Sequence, residues 1–311
     1  SNGRSEAVFG QMTYRFTSEW SGLLGARYNK DTKDGDATNR RSGANFIGDV
    51  SFSSFTPKAQ LQWTPSKGLM AYAGVSKGFK SGGFNFGSSG IEKFEPESIV
   101  AKEVGVRSTL MGGALSLNAS AFNYDYKDLQ LRTAVMDAVS GKFVVNVNNA
   151  SKAKVQGLEL SADMALGAGF GGGLAAAYID SELMNYVSPS TRKDLSGMQL
   201  PLTPKSSGSF WLDHKVAMAG GQLRSHLEYN YRSSVVFPLT LDQANNKGEA
   251  YGLVNASVRW SAPKDAWYLQ AGVRNATDKL YRTMRADYIW GGVVESYGAP
   301  RTYELRLGFK Y

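Results

Sequence analysis

The chain has 311 residues, with 35 Lys and Arg against 27 Asp and Glu for a formal charge of +8, and it carries 35 Gly, 16 Tyr, 15 Phe, 6 Trp and no Cys. Without cysteine, a disulfide framework and a thiolate metal site are excluded, and the basic residues are too evenly dispersed among acids for a nucleic-acid partner to be expected. The longest apolar run, Leu174–Ile179, is far short of the about 18 residues a membrane helix needs, although a closed β-barrel satisfies its backbone in lipid without any helix.

The first segment, 7–16, sets Val8, Gly10, Met12, Tyr14 and Phe16 on one face and Phe9, Gln11, Thr13 and Arg15 on the other. That two-residue period marks a strand with one apolar and one polar side. It recurs in chain order near 20–31, 52–63, 69–79, 98–110, 114–127, 150–165, 171–183, 205–217, 222–233, 251–262, 266–277 and 301–311. In 114–127 the pattern changes phase. Leu115, Leu117, Ala119 and Ala121 are apolar at odd positions, after which Phe122, Tyr124 and Tyr126 take the even ones. A bulge or an aromatic rim facing inward would each produce this.

Three features favour a membrane barrel over a soluble two-sheet sandwich. The segments run to about ten residues, the length a tilted strand needs to cross a bilayer. Connections alternate between short ones, at 17–19, 64–68, 111–113, 167–171, 219–221 and 261–266, and long ones near 32–51, 80–97, 129–149, 184–204, 233–250 and 279–300. Tight turns on one rim and long loops on the other is the layout of outer-membrane barrels. Finally, Trp20, Trp63, Trp260 and Trp267 all lie beside short turns, where an aromatic girdle would meet the lipid–water interface. The fold class expected is all-β, an antiparallel transmembrane β-barrel. Thirteen strands is an odd count where single-chain bacterial barrels have an even one, and the start, SNGRSEAVFGQ, has no secretory-signal pattern. A C-terminal part of a larger barrel is the expectation.

Several stretches in order, SFTPKAQLQWTPSKGLMAYAGVSKGFKSGGFN (54–85), FEPESIVAKEVGVRSTLMGGALSLNASAFNYDYKDLQ (94–130), KVQGLELSADM (154–164), GVRNATDKLY (272–281) and GAPRTYELRLGFKY (298–311), resemble the barrel region of TonB-dependent outer-membrane receptors. The resemblance implies that residues 1–311 form a partial barrel domain, about the last thirteen of 22 strands, with the plug domain absent. It implies a bacterial outer-membrane location and active uptake of a scarce nutrient such as a ferric siderophore or similar iron chelate. The partners implied are outer-membrane lipid, a small-molecule ligand and the TonB complex acting through the missing N-terminal plug. The last strand also matches the signal read by the barrel-assembly machinery, which assigns that role to Phe309 and Tyr311. A passive porin-like or structural barrel is the alternative.

Ligand contact is expected from the long loops. The loop 280–298 offers Tyr281, Arg282, Arg285, Tyr288 and Trp290, and the segment 77–87 offers Lys77, Lys80, Phe84 and Phe86. Arg recognises carboxylate or catecholate oxygens, and aromatic rings stack on flat ligands. Other motifs carry less. GAGFGGG (167–173) has dinucleotide-loop spacing, but Glu159 and Asp163 on the preceding strand argue for a glycine-rich turn instead. NKDTKDGD (29–36) lacks the full calcium-loop spacing and closing Glu, and a solvated loop tip is expected. His214 and His226 flank one turn without a third ligand, so polar inward-facing roles are expected. Asn118 and Asn275 begin Asn-x-Ser/Thr matches at strand-face or turn positions. No nucleophile–base or carboxylate pair stands out, so neither an enzyme nor a cofactor or metal site is expected.

Overall fold

The computed structural model describes residues 2–38, 45–87, 90–136, 141, 143–188, 192–237, 246–287 and 292–310. One antiparallel sheet of thirteen strands dominates it, and each strand pairs with its neighbours in chain order. The strands are β1 (Asn2–Arg15), β2 (Trp20–Thr38), β3 (Asn45–Ser66), β4 (Leu69–Lys80), β5 (Glu97–Leu110), β6 (Leu115–Met136) and β7 (Phe143–Gly167). There follow β8 (Phe170–Met184), β9 (Ser206–Met218), β10 (Gly221–Arg232), β11 (Tyr251–Ser261), β12 (Trp267–Arg274) and β13 (Thr302–Phe309). All six short connections lie where expected. At 167–169 the backbone turns through three residues with positive φ, Gly167, Ala168 and Gly169. A Cβ on Gly169 would run into the Lys215 carbonyl. An antiparallel hairpin, not a strand leading to a phosphate-binding helix, therefore explains the glycines.

The long rim departs from expectation. Segments 32–51 and 129–149 are largely strand: β2 pairs with β3 without interruption from Trp20–Trp63 to Thr38–Asn45, and β6 pairs with β7 out to Met136–Phe143. The apolar alternation fades there because neither face meets hydrocarbon, yet the hydrogen-bond ladder continues. NKDTKDGD consequently belongs to strand β2 and not to a loop tip. Segments 80–97 and 279–300 each fold into a hairpin, Gly83–Gly87 with Gly90–Phe94 and Arg282–Asp287 with Val293–Tyr297.

Side-chain register confirms a two-faced wall. Val8, Met12, Leu24, Phe55, Leu61, Val104, Leu158, Phe210, Leu227, Val258, Leu269 and Leu305 are exposed on one face, and no second sheet among the described residues covers them, which removes the sandwich. The belt has a sharp upper limit. Val104, Ala121, Leu158 and Tyr178 are cross-strand partners, and the next row up on the same face is Lys102, Asn123, Gln156 and Asp180. The lower limit carries tryptophan. Trp20 stacks on Trp63 with centroids 6.0 Å apart, and Trp260 and Trp267 lie 5.0 Å apart. The Trp63 indole donates to Glu19 Oε2 at 3.1 Å and Trp260 to the Met218 carbonyl at 2.9 Å.

Strand β6 runs through 115–127 in unbroken register with β5. The change of phase is therefore an inward-facing aromatic patch, with Phe122 and Tyr124 stacked at 4.7 Å. The principal buried apolar cluster lies higher still, above the belt. It joins Leu129, Leu131, Ala150, Ala153, Leu183, Tyr186, Leu195 and Val236.

The two faces predict opposite tolerances. Ala162→Arg, in the middle of the apolar belt on β7, will destabilise the barrel by about 2–4 kcal/mol, whereas Ser161→Arg on the opposite face will cost less than about 1 kcal/mol. Denaturant unfolding from phospholipid vesicles measures both, and equal costs would refute the assignment of faces.

Candidate functional site

The polar face of the wall encloses a concavity of about 800 Å³ on β4–β10, bordered by Tyr72, Glu103, Arg107, Asn118, Glu159 and Asn230. Alternation alone places them there, because each occupies the strand phase opposite the apolar belt. Neighbouring side chains pair across strands. Tyr72 donates its hydroxyl to Glu103, the Arg107 guanidinium lies 5.5 Å from the Tyr72 ring centroid, and Asn118 Nδ2 donates to Ser161 Oγ at 3.2 Å. Further along, His226 Nδ1 sits 2.9 Å from Asp213 Oδ1, and Asn255 donates to Glu228 at 3.1 Å. Arg306 donates to Glu304 at 2.8 Å, with Arg274 3.7 Å from the same carboxylate. Such a face requires water or a polar occupant beside it. His226 fits the inward expectation. His214 does not: it occupies the outward phase and stacks on Phe170 at 4.0 Å, because its strand position pairs directly with that residue. No group of three or more His, Asp or Glu able to hold a metal ion occurs among the described residues.

The hairpin 83–94 is clamped over the upper wall by amides that imitate strand pairing. Asn85 Nδ2 donates to the Val147 carbonyl at 2.8 Å while Val147 N donates back to Asn85 Oδ1 at 2.8 Å. The Glu95 N–H donates to Asn149 Oδ1 at 2.9 Å, and Asn149 Nδ2 returns a bond to the Glu95 carbonyl at 2.8 Å. Gln130 Nε2 reaches the Ser81 carbonyl at 3.0 Å and the Glu95 carbonyl at 3.1 Å, and Lys33 Nζ donates to the Gly82 carbonyl at 2.6 Å. None of Asn85, Gln130 or Asn149 stands out in the sequence. Their partners lie as far as 62 residues away, and the only local signal is the density of Asn in VNVNNA (145–150).

The expected ligand residues separate. Lys80 faces inward, 3.8 Å from Glu97. Lys77 lies in the outward phase, opposite Val100 and bordering the same groove as Met12, Leu24 and Val75. Phe84 is half-buried on the clamped hairpin, and the side chain of Phe86 lies outside the described residues. In the second hairpin, Arg282 Nε lies 3.0 Å and Arg285 Nη1 2.8 Å from Glu295 Oε1, and the Tyr297 hydroxyl donates to the other oxygen of that carboxylate. The Tyr297 hydrogen bond, with the two guanidinium groups, holds the Glu295 carboxyl below its ordinary range. Tyr281 packs 4.4 Å from Tyr251, and the Arg232 guanidinium lies 4.8 Å from the Tyr251 centroid. Gly298 lets the Tyr281 ring lie against the backbone, because a Cβ there would displace that ring. Tyr288 and Trp290 lie outside the described residues, as does Tyr311. Asn275, buried in its turn, accepts from Lys279 N at 2.8 Å and donates to the Lys279 and Ala299 carbonyls at 2.9 and 3.1 Å. It thereby closes the base of this hairpin.

The family model described as TonB dependent receptor-like, beta-barrel matches residues 1–276. Among curated relatives, the metal-pseudopaline receptor CntO of Pseudomonas aeruginosa is 25% identical over 315 residues, covering 95% of this chain and 39% of the relative. Its counterpart in strain UCBPP-PA14 is 29% identical over 317 residues with the same coverage. The chain therefore spans about two-fifths of the length of these relatives. Among solved structures, the ferric yersiniabactin uptake receptor FyuA of Yersinia pestis superimposes with a TM-score of 0.82 at 19% identity, over 97% of this chain and 45% of that one. The siderophore receptor PiuA of Acinetobacter baumannii gives 0.80 at 20% identity, over 99% and 43%.

Two outcomes test the geometry of the rim. Asn85→Leu will release hairpin 83–94, so its amides will exchange with deuterium about tenfold or more faster, reflecting about 1–3 kcal/mol of lost pairing. Glu295 has a lowered carboxyl pKa, so its contribution to hairpin 282–297 is complete above the ordinary value of about 4.3 and is lost as pH falls through the lowered one. Proteolysis of that hairpin will thus rise only under strongly acidic conditions in the wild type. Glu295→Gln will show the raised cleavage already at neutral pH.

Proposed function

We propose that this chain, which belongs to the TonB-dependent receptor β-barrel family, forms part of the wall of a receptor that imports a metal chelate, most simply a ferric siderophore. Its place is the bacterial outer membrane. The observation that carries the reading is the two-faced wall: an apolar belt on one face and, directly behind it, a largely polar lining around a concavity of about 800 Å³. A lining of that kind suits a lumen occupied by a polar plug and traversed by a hydrophilic cargo. The chelate class is supported by relatives named for yersiniabactin, siderophores and metal-pseudopaline. The last of these names extends the reading from iron to other chelated metals.

In this proposal the cargo is captured at the long-loop rim. Tyr281, Tyr251 and the inward Lys80 offer ring faces and a positive charge. Arg282 and Arg285, already matched to Glu295, hold their hairpin in shape and engage cargo only by exchanging that partner. Energy arrives from the TonB complex through a plug, as the family's architecture implies, and Phe309 serves the assembly machinery. Trp20, Trp63, Trp260 and Trp267 anchor the short-turn rim at the lipid interface.

Uptake of radiolabelled ferric chelates tests the proposal in cells that express the full gene and lack their own receptors. Saturable uptake is expected that disappears on deletion of TonB or on collapse of the proton motive force. Uptake indifferent to both, together with a steadily open channel in planar bilayers, would replace active import with a passive pore.

A further inference from the structure

The outward face of β4–β7 continues above the hydrocarbon limit as a group of five lysines. Lys102 occupies the first polar row, Lys77 and Lys154 flank the second, and Lys127 stands directly opposite Lys152 in the third. Rows on one face are about 7 Å apart and neighbouring strands about 4.8 Å, so the five ammonium groups share a patch of about 14 Å by 14 Å. Lys77, Lys102, Lys127 and Lys152 are exposed and Lys154 is half-buried. The acids nearby balance only part of this charge. Asp125 pairs with Lys102 at 3.4 Å, Glu182 stands opposite Lys154, and Asp180 lies one row lower. Glu95 and Asp128 border the hollow beside Lys77. Like charges set directly across a ladder repel, so the Lys127–Lys152 pair is unfavourable unless an anion lies between or above it.

An independent feature lies immediately below. The apolar belt is indented there by a recess of about 820 Å³, walled by Ala71, Val104, Ala119, Ala121, Leu158 and Tyr178. It forms because small side chains on β4, β6 and β8 sit between larger ones on β5 and β7. A recess in the hydrocarbon layer accepts acyl chain, and lysines just above it accept phosphate.

We propose that this face is a binding site for a phosphate-bearing lipid of the outer leaflet, with an acyl chain in the recess and headgroup phosphates among Lys77, Lys102, Lys127, Lys152 and Lys154. The site rests on the membrane-barrel reading alone and is independent of the transported cargo. Its ligand fills the space that the repelling lysines leave open, and it fixes the height of the β4–β7 wall in the membrane.

Native mass spectrometry of the protein expressed from its full gene and purified in detergent tests this, with diphosphoryl lipid A, phosphatidylglycerol, phosphatidylcholine and inorganic phosphate as probes. Lipid A should be retained over phosphatidylcholine by about tenfold or more, and K77Q/K127Q/K152Q/K154Q should remove that preference. Ala121→Phe, which fills the recess and keeps every lysine, should weaken both anionic lipids. Folding of each variant is read from its shift in gel mobility on heating, and lipid retention by the wild type at raised salt supplies the charge test should the quadruple variant not fold. Equal retention of phosphatidylcholine, retention insensitive to salt, retention unchanged in Ala121→Phe, or displacement of lipid A by millimolar inorganic phosphate would overturn the proposal. Uptake assays on the same variants separate this outcome from the transport reading, since a failed lipid site with intact import affects only the former.

Discussion

Backbone polarity governs everything in this molecule. In hydrocarbon every N–H and C=O must find a partner within the protein, and a sheet does so only if its ladder is unbroken. The thirteen-strand order, with each strand beside its sequence neighbour, meets that demand for the eleven inner strands with the simplest possible topology, while β1 and β13 are each paired along one edge among the described residues. Once the ladder is fixed, side chains have only two directions, and the period of two divides the residues into those facing lipid and those facing the interior. The belt, its sharp upper limit and the inner lining all follow from that division.

This is why the wall was legible from residues alone and the rim was not. Strands such as β7 and β10 declare themselves because Leu158, Leu160, Leu227 and Tyr229 alternate with Glu159, Ser161, Glu228 and Asn230. Alternation reports contact with lipid, however, and not strand formation as such. Where β2–β3 and β6–β7 rise out of the membrane, the pattern disappears while the pairing persists. Residues 32–51 and 129–149 therefore read as loops. The phase change at Phe122 is the reverse case, in which ring hydrophobicity resembles lipid exposure on the inward face.

The candidate ligand residues show a different limit. Arg282 and Arg285 could be identified by type, but their shared pairing with Glu295 depends on a hairpin register that composition does not reveal. Lys77 and Lys80 are three residues apart and read as one basic site, yet an odd separation on a strand puts them on opposite sides of the wall. The amides that hold hairpin 83–94 act on main-chain groups far along the chain, and no side-chain motif records such a bond.

The buried cluster above the belt has an evolutionary consequence. Leu129 and Leu131 come from one rim segment, Leu183, Tyr186 and Leu195 from a second, and Val236 from a third, all closed into one packed unit. A change of side-chain volume in any of these segments must be accommodated by the other two. Those three segments are thus constrained to diversify together.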